Sequence, residues 1–165
     1  MRVAEMEFAF RMAEDLKPRS ELYSRDEVIA KVGSLHPAVE LPDSRFHDFA
    51  RVGLAQLVAD NACAHRFVLG SAVTFDWRLL DLASYPVRAF VNSVAGGEGT
   101  GANVLGDPRI ALTWLANELS RHGLTLKADQ TVTTGTCLTP VPIAAGDRVE
   151  GDFGVLGRVA VAIGP

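Results

Sequence analysis

Residues 3–12 alternate, with Ala4, Met6, Phe8, Phe10 and Met12 on one side and Val3, Glu5, Glu7, Ala9 and Arg11 on the other. A period of two with one fully apolar face predicts a half-buried strand. Asp15 to Tyr23, which contains Pro18, reads as a loop. Ser24-Arg25-Asp26-Glu27 has the form of a capping box. The helix it opens is predicted to bury Val28, Ile29 and Val32 and to stop at Gly33. Pro37 to Leu41 is a short extended run closed by Pro42. From Asp48 to Ala59, the residues Phe49, Val52, Leu54, Leu57 and Val58 fit the buried face of a second helix.

Strand patterns dominate the second half. Arg66 to Phe75 and Val87 to Val94 are rich in β-branched and aromatic residues. A glycine-rich segment, Gly96-Gly97-Glu98-Gly99-Thr100-Gly101, follows as a loop. Asp107-Pro108 supplies an N-cap and a proline at the first helical position. Ile110, Leu112, Trp114, Leu115 and Leu119 are the predicted buried side of that third helix, and Gly123 ends it. Gln130 to Thr134, Arg148 to Phe153 and Arg158 to Ile163 read as further strands, the last two joined by Gly154-Val155-Leu156-Gly157. The prediction is an α+β fold, a β-rich core with about three helices.

Length and charge narrow the picture. The 165 residues, 48% hydrophobic and 22% charged, are enough for one domain with its own core. With 20 acidic against 16 basic side chains the formal charge is −4, which argues against a general nucleic-acid binder. No apolar run approaches the roughly 18 residues of a membrane-spanning helix, and Glu5 and Glu7 interrupt any signal-peptide core. Cys63 and Cys137 form no CxxC pair and read as buried thiols in a reducing compartment. A cytoplasmic single domain, residues 1–165, is the expectation.

Gly97-x-Gly99-x-x-Ala102 satisfies the dinucleotide-binding pattern, but that chemistry needs a helix starting at the loop to face the pyrophosphate. Here the helix begins only at Pro108, so a hairpin or connecting loop is the better reading. His36, His47, His65 and His122 lack zinc-hydrolase spacing, and there is no GxSxG elbow. Glu5 and Glu7, at i and i+2 of a strand, emerge from the same face. Two readings stay open for them: a solvated strand face, or carboxylates gathered around a cation. Glu40, in the extended run His36 to Leu41, is the third acid that would complete a hard, all-oxygen site for Mg²⁺ or Mn²⁺. Spacing does not decide whether it converges.

The ordered segments Ala4-Glu5-Met6-Glu7-Phe8-Ala9-Phe10, Leu35-His36-Pro37-Ala38-Val39-Glu40 and Asp43-Ser44-Arg45 resemble the hydratase/decarboxylase branch of the fumarylacetoacetate hydrolase superfamily. Asp60-Asn61-Ala62, Arg66-Phe67-Val68-Leu69-Gly70, Leu105-Gly106-Asp107-Pro108, Trp114-Leu115-Ala116-Asn117, Thr134-Gly135-Thr136 and Asp152-Phe153-Gly154 continue the likeness along the whole chain. The resemblance implies a mixed β-roll or barrel-like core with flanking helices, and Glu5, Glu7 and Glu40 as ligands of Mg²⁺ or Mn²⁺. It implies hydration of 2-hydroxypenta-2,4-dienoate to 4-hydroxy-2-oxopentanoate in aromatic meta-cleavage catabolism, or, alternatively, decarboxylation of 4-oxalocrotonate. A homo-oligomer, with or without a hydratase/decarboxylase partner, is implied too. Asn61 and Cys63 fall in the loop expected to meet substrate, although the family usually has small hydroxyl residues where this chain has Cys63-Ala64-His65. Asp43 and Arg45 are either a structural ion pair or supports for Glu40. The family usually carries a lysine-bearing segment with proton-transferring acids before the E-x-E strand. By that measure the chain resembles the C-terminal part of a longer enzyme, and a catalytically impaired binding domain is a third alternative.

Overall fold

The computed structural model describes residues 1–164. Its first strand, β1 (Val3–Met12), follows the alternation: Ala4, Met6, Phe8 and Phe10 are completely buried and Met12 nearly so. Helix α1 (Arg25–Ala30) opens on Ser24, whose hydroxyl accepts from the Glu27 amide while the Glu27 carboxylate accepts from the Ser24 amide. It is shorter than the apolar spacing predicts. Val32 and Gly33 already belong to β2 (Val32–Leu41), where Val32 is buried by pairing with Met12 across an antiparallel ladder. Extended pairing with a ten-residue neighbour wins over one further helical turn.

The predicted helix over 48–59 is broken. A single 3₁₀ turn at Phe49–Arg51 is followed, after Gly53 at φ 85°, by α2 (Leu54–Ala59), which buries none of its residues. Leu54 and Val58, on the predicted core face, point to solvent, and Leu57 is only half-buried. β3 (Arg66–Leu69) stops well before Phe75. β4 (Pro86–Val91) and β5 (Val94–Thr100) form a hairpin whose two-residue turn, Asn92-Ser93, has φ 50° and 67°. Positive φ at both central positions suits the twist of a tight hairpin. The glycine-rich segment is therefore a strand rather than a loop, and the rejection of a dinucleotide site holds. Glycine is needed because a Cβ on Gly99 would lie 2.1 Å from the Cys137 carbonyl oxygen.

Helix α3 (Pro108–Arg121) starts as expected, with the Asp107 carboxylate accepting from the Arg109 amide at 2.8 Å. Its buried side is Pro108, Leu112 and Ala116; Ile110 and Trp114, predicted inside, are 45% and 59% exposed. The remaining strands are β6 (Thr131–Thr136), β7 (Val141–Pro142), β8 (Arg148–Asp152) and β9 (Arg158–Ala162).

The strands form two sheets. One has the order β3-β2-β1-β6, with β7 pairing the start of β1; the other has the order β5-β4-β8-β9. They pack through the apolar side of β1. Phe8 meets Phe153 edge-on at 5.3 Å between ring centres, and Met6 lies over Gly151. The result is a sheet-rich roll with three helices, and no closed barrel is present among the described residues. With the core on one side of β1, the polar side bearing Glu5 and Glu7 faces away from it.

Candidate metal centre

Strand pairing decides the question that spacing left open. In the antiparallel β1–β2 ladder Glu5 lies directly opposite Glu40, and Glu7 opposite Ala38. Directly opposed residues project from the same sheet face, so all three carboxylates share it. One oxygen from each of Glu5, Glu7 and Glu40 lies within 4.8 Å of the others. Two oxygens bound to one Mg²⁺ can be no more than about 4.2 Å apart, so sub-ångström adjustments of the side-chain ends suffice. Three hard carboxylate donors, with no sulfur or nitrogen among them, fit Mg²⁺, Mn²⁺ or Ca²⁺.

Glu7 is the innermost of the three, 1% exposed. Between Glu7 and Ala9 the β1–β6 ladder shifts register, because an extra residue on β6 bulges out around Gly135. Gly135 stands at φ 110°, where a side chain would be strained, and its freed amide donates to Glu7 Oε2 at 2.9 Å. The nearby Thr133 hydroxyl also favours the ionised form of Glu7. Neither contact offsets the burial and the charges of Glu40 and Glu5, which together push Glu7 up to about 7. Burial, then the Glu40 charge, raises Glu5; burial raises Glu40. Crowded carboxylates with raised pKa values are what a cation relieves.

A cleft of about 380 Å³ opens beside Glu40, lined by Asn61, Ala64, His65, Arg66, Phe67, Thr131 and Thr133 as well. Asn61 thus stands in the wall where a substrate contact was expected. Cys63 does not: it is 4% exposed, faces the interior and is absent from the lining. Its carbonyl, not its thiol, is engaged, accepting from the Asp43 amide at 2.8 Å. The expected support of Glu40 by Asp43 and Arg45 is also corrected. Arg45 Nη1 donates to Asp60 Oδ1 at 2.7 Å, and Asp43 accepts from the Met1 amino group and the Ser44 amide. Both side chains are committed to partners other than Glu40. Cys137 is likewise buried and free, its thiol pushed up to about 12 by burial and by the charge of Glu7. Gly135 and Thr133 have roles that spacing did not assign. The available signal was a glycine inside a threonine-rich strand, a mark of a bulge.

No family model matches the chain. A 2-hydroxyhexa-2,4-dienoate hydratase from Comamonas testosteroni is 37% identical over 147 residues, covering 89% of this chain and 54% of its own length. The 4-oxalocrotonate decarboxylase from Pseudomonas putida G7, complexed with magnesium and adipate, superposes with a TM-score of 0.86 at 30% identity, over 98% of this chain and 60% of that one. A protein from Yersinia pestis CO92 assigned to the fumarylacetoacetate hydrolase family shares the fold, with a TM-score of 0.70 at 18% identity over 98% of this chain and 73% of that one. The chain spans about half the length of the curated relatives it matches. Sequence and fold agree: the chain is related to the dienoate hydratases and 4-oxalocrotonate decarboxylases, and it shares the fold found in the fumarylacetoacetate hydrolase family protein.

Proposed function

We propose that this chain is the metal-binding domain of a divalent-metal-dependent hydratase. It would add water to 2-hydroxypenta-2,4-dienoate, or a close homologue, to give 4-hydroxy-2-oxopentanoate. The observation that carries the reading is the convergence of Glu5, Glu7 and Glu40 on the polar face of the β1–β2 ladder. These three residues would hold Mg²⁺ or Mn²⁺; the magnesium bound by the Pseudomonas putida G7 decarboxylase favours the former. Bound there, the ion supplies Lewis-acid stabilisation of the negative charge that develops at the substrate's 2-oxygen. The chain's own part is placement. Buried Glu7, held by the Gly135 amide, anchors the inner side of the site. Half-buried Glu40 stands in the cleft wall, with Glu5 directly opposite it on β1, and Asn61 offers a carboxamide to the substrate from the same wall. A cytoplasmic location and assembly as a homo-oligomer belong to the same reading.

Structural likeness to the decarboxylase favours a second reading, release of CO₂ from 2-oxohex-3-enedioate with the same charge stabilised at the 2-oxygen. Turnover separates the two. With Mg²⁺ present, diene absorbance of 2-hydroxypenta-2,4-dienoate should decay and chelation should stop it; CO₂ release without hydration would favour the decarboxylase. Binding of metal and 2-oxo acid with neither reaction would identify a binding domain that needs a further segment or subunit.

A further inference from the structure

The β2–β3 connection leaves the sheet at Leu41 and returns at Arg66, and these two residues are register partners. Residues 42–65 therefore form a closed excursion from the sheet. Its outer part is weakly held, with Leu54 77% and Val58 67% exposed. Its base is held firmly by Asp60, whose side chain is 0% exposed. The Asp60 carboxylate accepts from Ser44 Oγ at 2.6 Å, the Arg45 amide at 3.2 Å and Arg45 Nη1 at 2.7 Å. A buried charge thus ties the outgoing arm of the excursion to its returning arm. Directly after it, Asn61, Ala62 and Cys63 stand at φ 55°, 51° and 65°. Left-handed backbone at three successive residues that carry side chains persists only where the surroundings enforce it. This turn sets Asn61 into the cleft wall beside Glu40.

We infer that Asp60 is a positioning residue: by clamping the base of the 42–65 excursion it holds the left-handed Asn61–Cys63 turn and presents Asn61 to a bound 2-oxo acid. The inference rests on the metal-dependent reading above. It is tested with Asp60→Asn, with Asn61→Gly, which keeps the left-handed backbone but removes the carboxamide, and with the double variant. Each is titrated with Mg²⁺ alone and then, in saturating Mg²⁺, with 2-oxopentanoate, a saturated analogue that cannot be hydrated. Hydrogen exchange is followed at the Cys63 and Ala64 amides, which bond the Asp60 and Asn61 carbonyls. Asp60→Asn should speed that exchange at least about ten-fold and weaken the analogue about ten-fold, the loss of roughly one hydrogen bond. Mg²⁺ affinity should stay within about two-fold, since the three ligands lie on other elements. Asn61→Gly should weaken the analogue equally, and the double variant no further, because Asp60 acts through Asn61.

Additive losses overturn the inference. So does unchanged exchange, or a parallel loss of Mg²⁺ affinity that marks general damage. If Asp60→Asn does not fold, Ser44→Ala removes one arm of the clamp and is read in the same way. Failure of the unmutated chain to bind the analogue overturns the 2-oxo acid reading itself, and the role of Asn61 with it. Normal binding in both the unmutated chain and Asp60→Asn overturns only the role of Asp60.

Discussion

A carboxylate that is 1% exposed and faces two others is held against its own preference, and in Glu7 that conflict can be measured. Below about pH 4.5 Glu7 is protonated in both the folded and the unfolded chain. Between there and about 7 the unfolded chain releases a proton that the folded one retains, so stability falls as pH rises and then levels off. Metal-free protein should therefore lose on the order of 3 kcal/mol from this group across that window, visible as a falling melting temperature. Excess Mg²⁺ should remove the fall, since cation and proton compete for the same oxygens. Glu7→Gln retains an acceptor for Gly135 and deletes the charge. At pH 8 it should raise the metal-free melting temperature by about 5–10 °C while weakening Mg²⁺ binding at least about 100-fold, as read by calorimetry. Unchanged melting would mean that Glu7 is not crowded in solution. The alternation around Glu5 and Glu7 was legible from sequence because it is local. Loop roles were less legible: Cys63 and Arg45 stand near the right place, but a left-handed turn directs one thiol inward and a buried Asp60 takes the guanidinium.

At the scale of elements, caps and close approaches carry the sharpest expectations. Asp107 is 8% exposed and caps the longest helix, so Asp107→Ala should cost about 1–2 kcal/mol in denaturant unfolding. Gly99 sits where β5 runs hard against the Cys137 carbonyl, and that obstacle is backbone rather than a flexible side chain. Gly99→Ala should cost about 3 kcal/mol, the upper end of overpacking, with Mg²⁺ affinity retained in whatever protein folds. The caps of α1 and α3 could be read in advance because each is a motif of three or four residues. β5 could not, since three of its seven residues are glycines with no side-chain period to detect. α2 misled in the opposite way. Leu54, Leu57 and Val58 have helical spacing, yet tertiary packing leaves Leu54 and Val58 in solvent, and periodicity carries no label for which surface is covered.

For the molecule as a whole, ion binding and folding are one equilibrium. Mg²⁺ at a hundred times its dissociation constant should stabilise the chain by about 2.7 kcal/mol, detectable as a metal-dependent shift in thermal melting. That shift should vanish in Glu40→Gln. The β-rich character was visible in the sequence, but the meeting of Glu40 with Glu5 and Glu7 was not, because it depends on a ladder between segments separated by 19 connecting residues, 13–31. Its register behaves as a parity check. A slip of one residue would turn Glu40 into the core and offer Val39 or Leu41 to the ion, while a slip of two would leave it opposite Val3 or Glu7. Residues 13–31 can thus gain or lose length with the ion site intact, whereas one inserted residue between His36 and Glu40 abolishes it. In a library of length variants, affinity for a divalent ion would sort the chains whose first two strands have paired in step from those that have not.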